Sequence, residues 1–261
     1  MNKKVNVETK RLGKELLYKE ITDSTSLDIK RMAESGSEEG LVVCTDMQTA
    51  GRGRRGRSWQ SSKGENLLFS LLLRPGIAPD KAPQITLLMA LAVTKILRED
   101  YGLEAKIKWP NDVVLNGKKV CGILTEMFLK GSCIDYVIVG VGINVNQTVI
   151  PEELSESATS LLLQEECEFS REDILGKVLR TFEQYYDDFL IEESLENVVS
   201  RYNEWLVSLN LEVRVLDPQG EYSGLARGIT NSGELIVELP GGETTVVYAG
   251  EVSVRGLYGY V

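Results

Sequence analysis

The chain has 261 residues, which is enough for one large domain or for one large and one small domain. Its 39 acidic residues outnumber the 29 lysines and arginines and give a formal net charge of -10, so general affinity for nucleic acid or for an anionic membrane is not expected. The sequence contains no histidine. This excludes Ser–His and Cys–His nucleophiles, histidine general bases and histidine metal ligands, so any enzymatic chemistry must rely on carboxylates, lysines or fixed charge.

The first ten residues, MNKKVNVETK, lead into no apolar segment of the kind that a signal peptide requires. The best apolar stretch, NLLFSLLL, has the length of a strand rather than of a membrane span. No CxxC pair is formed by the four cysteines, Cys44, Cys121, Cys133 and Cys167, and three of them lie in apolar or strand-like stretches. We interpret them as buried free thiols, and we predict a cytoplasmic protein with no membrane partner.

Hydrophobic periodicity predicts a mixture of strands and helices over the first 208 residues. In chain order, the predicted strands cover residues 14–21, 40–48, 65–75, 104–109, 112–117, 118–131 and 133–146. The predicted helices cover residues 27–35, 82–102, 170–190 and 194–209. Boundary signals are Asp23, Ser24 and Thr25 as caps of the first helix, Ser170 and Asp173 as a capping box, and Asn116-Gly117 as a hairpin turn.

From about Leu209 onward the pattern changes to short alternating strands. Asp-Pro-Gln-Gly, Asn-Ser-Gly and Pro-Gly-Gly turns separate them. We therefore predict two domains, an α+β domain over residues 1–208 and a small all-β barrel over residues 209–261.

Four arginines alternate with glycines in the segment AGRGRRGRSW, Ala50–Trp59. Gly51, Gly53 and Gly56 match a GxGxxG pattern, but no helix follows, as a Rossmann turn requires, and the kinase HRD and P-loop GK[ST] motifs are absent. Glycines let backbone N–H groups approach a ligand, and arginines offer forked donors to carboxylate or phosphate. The loop alone fits an anion site as well as a solvated basic turn or an RNA-contacting segment.

A second group of polar residues surrounds the Trp-Pro-Asn-Asp turn. Its members are Lys108, Asn111, Asp112, Lys118 and Lys119. Because Pro110 interrupts the chain between two strands, the lysine before the turn and the aspartate after it can face a common side, and a lone aspartate in a nucleotide site is a natural magnesium ligand. Taken alone, the segment is also an ordinary turn with solvated lysines.

A third segment, VGVGINVNQ, alternates Gly140 and Gly142 within a strand and then places Asn144 after them. Glycine weakens a strand, so this alternation indicates that a ligand or another part of the chain approaches closely. Tight packing against a neighbouring helix explains the pattern equally well. The asparagine offers both a donor and an acceptor to a ligand.

Taken together and in this order, these segments resemble the biotin protein ligases. The matching motifs are DSTS (Asp23–Ser26), QTAGRGRRGRSW (Gln48–Trp59), KWPND (Lys108–Asp112), KKVCGILTE (Lys118–Glu126) and VGVGINVN (Val139–Asn146). The resemblance extends from about residue 18 to residue 146, and the C-terminal all-β segment also fits. It implies a catalytic domain like that of class II aminoacyl-tRNA synthetases, a mixed sheet with helices, followed by an SH3-like β-barrel.

The resemblance also implies a two-step reaction with biotin, ATP and Mg²⁺. Biotin and MgATP would form biotinyl-5′-AMP, and a lysine of a biotin carboxyl carrier protein, such as that of acetyl-CoA carboxylase, would then take the biotin. Such chemistry needs no histidine, because the biotin carboxylate is already ionised and the barrier is electrostatic. Roughly twenty residues precede the motifs, so we expect a monofunctional ligase without operator binding. A homodimer is a further expectation.

Site residues follow from the resemblance position by position. Expected biotin contacts are Ser24, Thr25, Gln48, Gly51, Arg52, Gly122 and Gly140. Expected ATP contacts are Arg54, Trp59, Asn111, Lys119, Asn144 and Arg255. Expected catalytic residues are Lys119, Arg54, Asp112 and Lys108, with Asp112 as the magnesium ligand. Ser26 departs from the asparagine common in the family, so we leave it out of the site.

Three other functions stay open at this point. A lipoate ligase would share the fold, but GRGRRG is not its loop. A nucleic-acid-binding module is disfavoured by the net charge of -10 and by the lack of interleaved aromatic residues other than Trp59. A biotin sensor without activity is disfavoured because Lys119, Asp112 and Arg54 are all present.

Overall fold

Two β-sheets organise the chain. The computed structural model describes residues 7–217, 220–249, 253–256 and 260–261. Its strands are β1 (Leu16–Thr22), β2 (Val42–Gln48), β3 (Leu67–Leu73), β4 (Lys106–Lys108), β5 (Asp112–Leu115), β6 (Lys118–Lys130), β7 (Cys133–Ile143), β8 (Glu212–Asp217), β9 (Gly220–Ile229), β10 (Leu235–Glu238), β11 (Thr244–Val247) and β12 (Ser253–Gly256). Its α-helices are α1 (Thr25–Glu34), α2 (Ala82–Glu99), α3 (Leu161–Glu165), α4 (Arg171–Glu192) and α5 (Glu196–Trp205).

The larger sheet has seven strands in the order β1-β2-β3-β7-β6-β5-β4. β1 and β2 are parallel and all other neighbours are antiparallel, so the sheet is mixed, as predicted. The hairpin predicted between β5 and β6 is confirmed, because Asn116 and Gly117 have φ angles of 50° and 77°, as a tight hairpin turn requires.

Helices cover the two faces of this sheet unequally. Alternate residues of a strand point to opposite faces, so neighbouring residues of one strand belong to different cores. On β2, Val42 and Cys44 join the main core with α2 and α4, whereas Val43 joins a smaller core with Ile29 of α1. The smaller core occupies only part of its face. The rest of that face, above the middle of β3, β6 and β7, is free to form a concave site.

The second sheet is antiparallel, with strand order β11-β10-β9-β8-β12. Its arrangement is consistent with the predicted SH3-like fold, although the described strands show no pairing that closes them into a barrel. Trp109 ties the two sheets together, since its indole Nε1 donates a hydrogen bond of 3.0 Å to the carbonyl of Gly233. The predicted boundary between residues 208 and 209 stays a prediction. No described helix is both long enough and apolar enough to span a membrane.

The predicted capping of α1 needs correction. Ser24 occupies the N-cap position of α1, but its side chain makes no capping bond, and Thr25 belongs to the helix itself. The hydroxyl of Thr25 instead bonds to side chains on the sheet. At α4, half of the predicted capping box is confirmed, because the Ser170 hydroxyl accepts a hydrogen bond of 3.2 Å from the Asp173 backbone N–H. The Asp173 carboxylate instead accepts a hydrogen bond from the Tyr101 hydroxyl.

The cysteine prediction is correct for two residues and wrong for two. Cys44 and Cys121 are buried on core strands, whereas Cys133, at the start of β7, and Cys167, between α3 and α4, are exposed. Burial raises the pKa of the Cys44 thiol to about 12, and it raises the pKa of Cys121 as well. Because the thiolate is the reactive species, these two thiols are doubly protected.

We therefore expect a thiol reagent such as DTNB to modify two cysteines in the folded protein and all four in denaturant. The double variant Cys133→Ser, Cys167→Ser should show no rapid reaction until it is unfolded. Rapid modification of that double variant under native conditions would contradict the burial of Cys44 and Cys121.

Candidate active site

The concave part of the sheet holds a cavity of about 460 Å³, including its open mouth. Small residues create it, since Ser70 of β3 pairs with Gly140 of β7, and Gly142, two residues further along β7, lies on the same side of the sheet, which carries α1. Gly122 of β6 faces Gly142 and continues the same surface. Larger side chains at these positions would fill the space, so the alternation of glycines on two adjacent strands shapes the cavity.

Hydroxyl groups and one amide line the inner end of this cavity. The Ser70 hydroxyl lies 2.8 Å from the Thr25 Oγ1 and 3.0 Å from the Ser26 Oγ. Gln48 completes the group, because its Oε1 accepts bonds from the Thr25 backbone N–H at 2.9 Å and from its hydroxyl at 3.1 Å. These groups are both donors and acceptors, so the inner end suits a small neutral polar ligand group rather than a charged one.

The Gly-Arg segment forms a narrow hairpin over the cavity mouth. Its two arms are joined where the Gly53 N–H bonds to the Arg57 carbonyl at 2.7 Å and the Trp59 N–H bonds to the Gly51 carbonyl at 2.9 Å. Arg52 reaches across to Glu126 of β6, with 2.9 Å between Nη2 and Oε1. This ion pair attaches the segment to the sheet.

Arg54 of the same hairpin connects both sheets. Its guanidinium donates a hydrogen bond of 2.7 Å to the side-chain oxygen of Asn111 and one of 2.6 Å to the Ala249 carbonyl. Burial is the main cause that lowers the pKa of Arg54, and the nearby charges of Arg55 and Arg57 lower it further while Asp112 opposes them. An anion placed beside Arg54 would relieve this unfavourable crowding.

Trp59 is packed directly onto the glycine surface. A Cβ atom built on Gly142 would lie 2.5 Å from the indole, and one built on Gly122 would lie 2.7 Å from it. The indole Nε1 is buried and has no hydrogen-bond partner among the described residues. The ring therefore forms one wall of the cavity with a donor left unused.

A second cavity of about 770 Å³, including its open mouth, adjoins the first on the side of β4 and β5. Asp112 is its central charge. Its Oδ1 lies 2.6 Å from the Lys119 ammonium in an ionic contact without hydrogen-bond geometry, and its Oδ2 accepts a hydrogen bond from the Tyr260 hydroxyl. Lys108 lies over the Tyr260 ring, 3.6 Å from its centroid.

The positive charges of this second cavity are crowded together. Burial lowers the pKa of Lys108 to about 8, and Lys119, Arg255 and Arg57 contribute in the same direction against the opposing effect of Asp112. A group of cations that is held together while partly desolvated stabilises an incoming polyanion, because the anion repays the mutual repulsion.

An irregularity in strand pairing aims Lys119 at the site. Val113 of β5 pairs with Cys121, yet Val114 pairs with Lys119, so Val120 is an extra residue in β6. This β-bulge breaks the alternation and places Lys119 on the same side as Gly122, where its Nζ lies 2.8 Å from the position of a built Cβ.

The structure brings most of the predicted site residues together. The first cavity is lined by the predicted Ser24, Thr25, Gln48, Arg52, Arg54, Trp59, Asn111, Lys119, Gly122 and Gly140. The second is lined by the predicted Arg54, Trp59, Lys108, Asn111, Asp112, Lys119 and Arg255. Arg54, Trp59, Asn111 and Lys119 line both, as does Gly53, so the two cavities form one continuous site.

Two predicted contacts, Gly51 and Asn144, line neither of these cavities within the described part of the chain. The side-chain amide of Asn144 donates a hydrogen bond of 3.0 Å to the Thr159 carbonyl, and this bond fixes the segment after β7. Gly51 is in close contact with the Trp59 carbonyl, which leaves no room for a Cβ. Both residues therefore hold neighbouring backbone in place rather than line a cavity. A direct ligand contact by either one stays a prediction.

Sequence reasoning missed four residues of the site. Ser70 and Ser26 belong to the hydroxyl group, Glu126 holds Arg52, and Tyr260 holds Asp112. Ser70 had a signal, because it is the single polar residue in the otherwise apolar β3. Tyr260 had none, since only tertiary structure brings it to β5.

Comparisons with known proteins agree with this geometry. Residues 18–144 match the model of the Biotin/lipoate A/B protein ligase family, and residues 208–255 match that of the Biotin protein ligase C terminal domain. The chain belongs to the biotin protein ligase family. It is accordingly an enzyme, a ligase of the biotin–protein type.

Relatives share most of their length with this ligase. The bifunctional ligase/repressor BirA of Bacillus subtilis is 37% identical over 89% of this chain and 72% of the relative. The biotin–[acetyl-CoA-carboxylase] ligase of Paracoccus denitrificans is 33% identical over 90% of this chain and 98% of the relative. The solved biotin protein ligase of Aquifex aeolicus in complex with biotin and ATP has a TM-score of 0.80 and 33% identity, covering 93% of this chain and 99% of that one.

The packing of Trp59 on the glycine surface leads to a prediction. We expect Gly142→Ala to displace the indole, because the new methyl group would overlap it, and to reduce biotin binding at least about tenfold by narrowing the cavity. Calorimetric titration with biotin measures the affinity, and the tryptophan emission maximum reports the displacement.

Gly76→Ala is the matched control, since Gly76 has open space around it. This variant should bind biotin as the wild type does. Wild-type biotin affinity together with unchanged emission in Gly142→Ala would contradict the packing described here.

Proposed function

We propose that this ligase activates biotin with ATP and transfers it to a lysine of a biotin carboxyl carrier protein. In the first step, a biotin carboxylate oxygen forms a bond to the α-phosphorus of ATP, and pyrophosphate leaves with the electrons of the bond that breaks. In the second step, the neutral amine of the carrier lysine attacks the acyl carbon of biotinyl-5′-AMP. AMP leaves, and the amine's surplus proton passes to the departing phosphate or to water.

One observation carries this proposal: the two cavities meet at Lys119 and Arg54. The first cavity ends in hydroxyls and an amide, which suit the neutral ureido ring of biotin. The second is surrounded by cations, which suit the phosphates of ATP. A carboxylate extending from the first and an α-phosphate entering the second would come together beside these two cationic side chains.

The residues also fit a reaction whose barrier is charge repulsion. A carboxylate must approach a polyphosphate, so fixed positive charge in a partly desolvated site lowers the barrier without any proton transfer from biotin. Lys119 and Arg54 would neutralise the negative charge on the reacting oxygens. Lys108 would bind the phosphates that leave as pyrophosphate. The absence of histidine from the chain costs such a reaction nothing.

Magnesium is supported by the chemistry of Asp112. One carboxylate together with substrate phosphates and water is a common way to hold this ion. Within the described residues, no cluster of three or more acidic, cysteine or histidine side chains provides a full protein cage. Asp112 therefore fits as a single ligand, and the ion would add positive charge opposite Lys119. The Asp112 Oδ2 also accepts a hydrogen bond from the Tyr260 hydroxyl.

The similarity to a solved ligase bound to biotin and ATP supports these substrates, and the match of residues 208–255 to a biotin protein ligase domain favours biotin over lipoate. The decisive experiment incubates the protein with labelled ATP and biotin, lipoate or neither. We expect pyrophosphate release when biotin is added to the ATP, and no release with lipoate or with ATP alone. Equal release with lipoate, or release without an acid, would contradict the proposal. Dimerisation stays a prediction.

Lys119 provides the sharpest test of the chemistry. We expect Lys119→Ala to slow biotin-dependent pyrophosphate release about 10- to 150-fold, because a charge-assisted contact to the reacting carboxylate contributes about 1.5–3 kcal/mol. The adjacent Lys118 is the matched control, since its ammonium lies outside the two cavities and donates a hydrogen bond of 2.7 Å to the Ser155 carbonyl. Lys118→Ala should keep nearly normal release.

Lys119→Ala also leaves the Asp112 carboxylate without its ion pair, so some loss of stability is expected. The double variant Lys119→Ala, Asp112→Asn removes that unpaired charge and should recover the melting temperature but not the activity. Normal pyrophosphate release by either folded Lys119 variant would exclude the proposed role.

A further inference from the structure

Tyr260 lines the second cavity, and neither the sequence motifs nor the proposed reaction uses its side chain. Its hydroxyl donates to Asp112 Oδ2, and its ring lies against the Lys108 ammonium, 3.6 Å from centroid to Nζ. Val261 lies beside Gly117, at the turn between β5 and β6. Tyr260 and Val261 thus lie beside β5 and the turn that follows it, next to the second cavity.

Both contacts of Tyr260 are made to groups that a nucleotide needs. A hydrogen bond to a carboxylate is among the stronger neutral–charged bonds, and a partly desolvated ammonium on an aromatic face is also stabilised. With Tyr260 in place, one lone pair of the Asp112 Oδ2 is already used, so a metal ion would compete with the phenol for this oxygen. Lys108 likewise cannot leave the ring for a phosphate without losing its aromatic contact.

We propose that Tyr260 is a latch on the nucleotide side of the site, which holds Asp112 and Lys108 while the site is empty and competes with MgATP for both. The inference rests on the proposed use of this cavity for MgATP. In the closed state the phenol satisfies the carboxylate and the ring covers the ammonium. In the open state the metal ion and the phosphates take over these two contacts.

With competition of this kind, the apparent affinity for the nucleotide equals the intrinsic affinity multiplied by the fraction of molecules that are open. If the latch is closed in nine of ten molecules, its removal tightens nucleotide binding about tenfold. The same removal destabilises the empty protein, because Asp112 loses a hydrogen bond that no water replaces equally well. Opposite effects on the two states distinguish a latch from a residue that simply supports the fold.

The test measures binding of MgAMPPNP, a non-hydrolysable ATP analogue, by calorimetry without biotin. Tyr260→Phe removes only the hydroxyl and should tighten binding about threefold to tenfold. Tyr260→Ala also frees Lys108 and should tighten it further. In parallel, both variants should melt at a lower temperature than the wild type when empty, and MgAMPPNP should raise their melting temperatures by more than it raises that of the wild type.

A second arm separates the two contacts. In EDTA, without magnesium, the gain of Tyr260→Phe should shrink, because Asp112 then has no cation to bind, whereas the additional gain of Tyr260→Ala should persist through Lys108. Tyr248→Phe is the control, since Tyr248 is exposed just after β11 and lines neither cavity, so the change should leave affinity and melting unchanged.

The result that would overturn the latch is equal or weaker MgAMPPNP binding by Tyr260→Phe and Tyr260→Ala, with normal binding by the wild type. That outcome would leave the proposed function intact. Failure of the wild type and of every variant to bind MgAMPPNP, even at millimolar concentration with biotin present, would instead remove the proposed function and the latch together.

Discussion

The negative charge of Asp112 is the constraint on which the rest of the site depends. Its side chain is only 14% exposed, and a carboxylate removed from water to this extent must be neutralised and hydrogen-bonded. Lys119 provides the charge and Tyr260 provides the bond. Because Lys119 comes from β6 and Tyr260 from the end of the described chain, one carboxylate fixes the position of both.

Around this pair the chain gathers more cations than a single carboxylate can balance. Arg54, Lys108 and Arg255 all line the same cavity, and burial first, then repulsion from neighbouring cations, lowers the pKa of Arg54 and of Lys108. In a protein with a net charge of -10, such a local excess is maintained at a cost in stability. The stabilisation is recovered when an anion enters, so the empty enzyme is already organised for a charged substrate.

The sequence was sufficient for most of the elements and for the motif residues. Apolar runs such as β3 and the long α2 have patterns that few other arrangements satisfy, and the Asn116-Gly117 turn defines its hairpin locally. The residues that escaped prediction depend on tertiary geometry. The bulge at Val120 turns Lys119 toward the site against strict alternation, and Tyr260 reaches Asp112 across 148 positions of the chain. No local pattern encodes either contact.

The contact between Trp59 and the glycines of β6 and β7 has a consequence for how this family can vary. The indole occupies the volume that a side chain at Gly122 or Gly142 would need, so these three positions share a fixed amount of space. A methyl group gained on either strand is therefore tolerated only if the aromatic ring shrinks or moves. In genetic terms, Trp59→Phe is the natural second-site suppressor of Gly142→Ala, and the three positions are expected to change together when homologous sequences diverge.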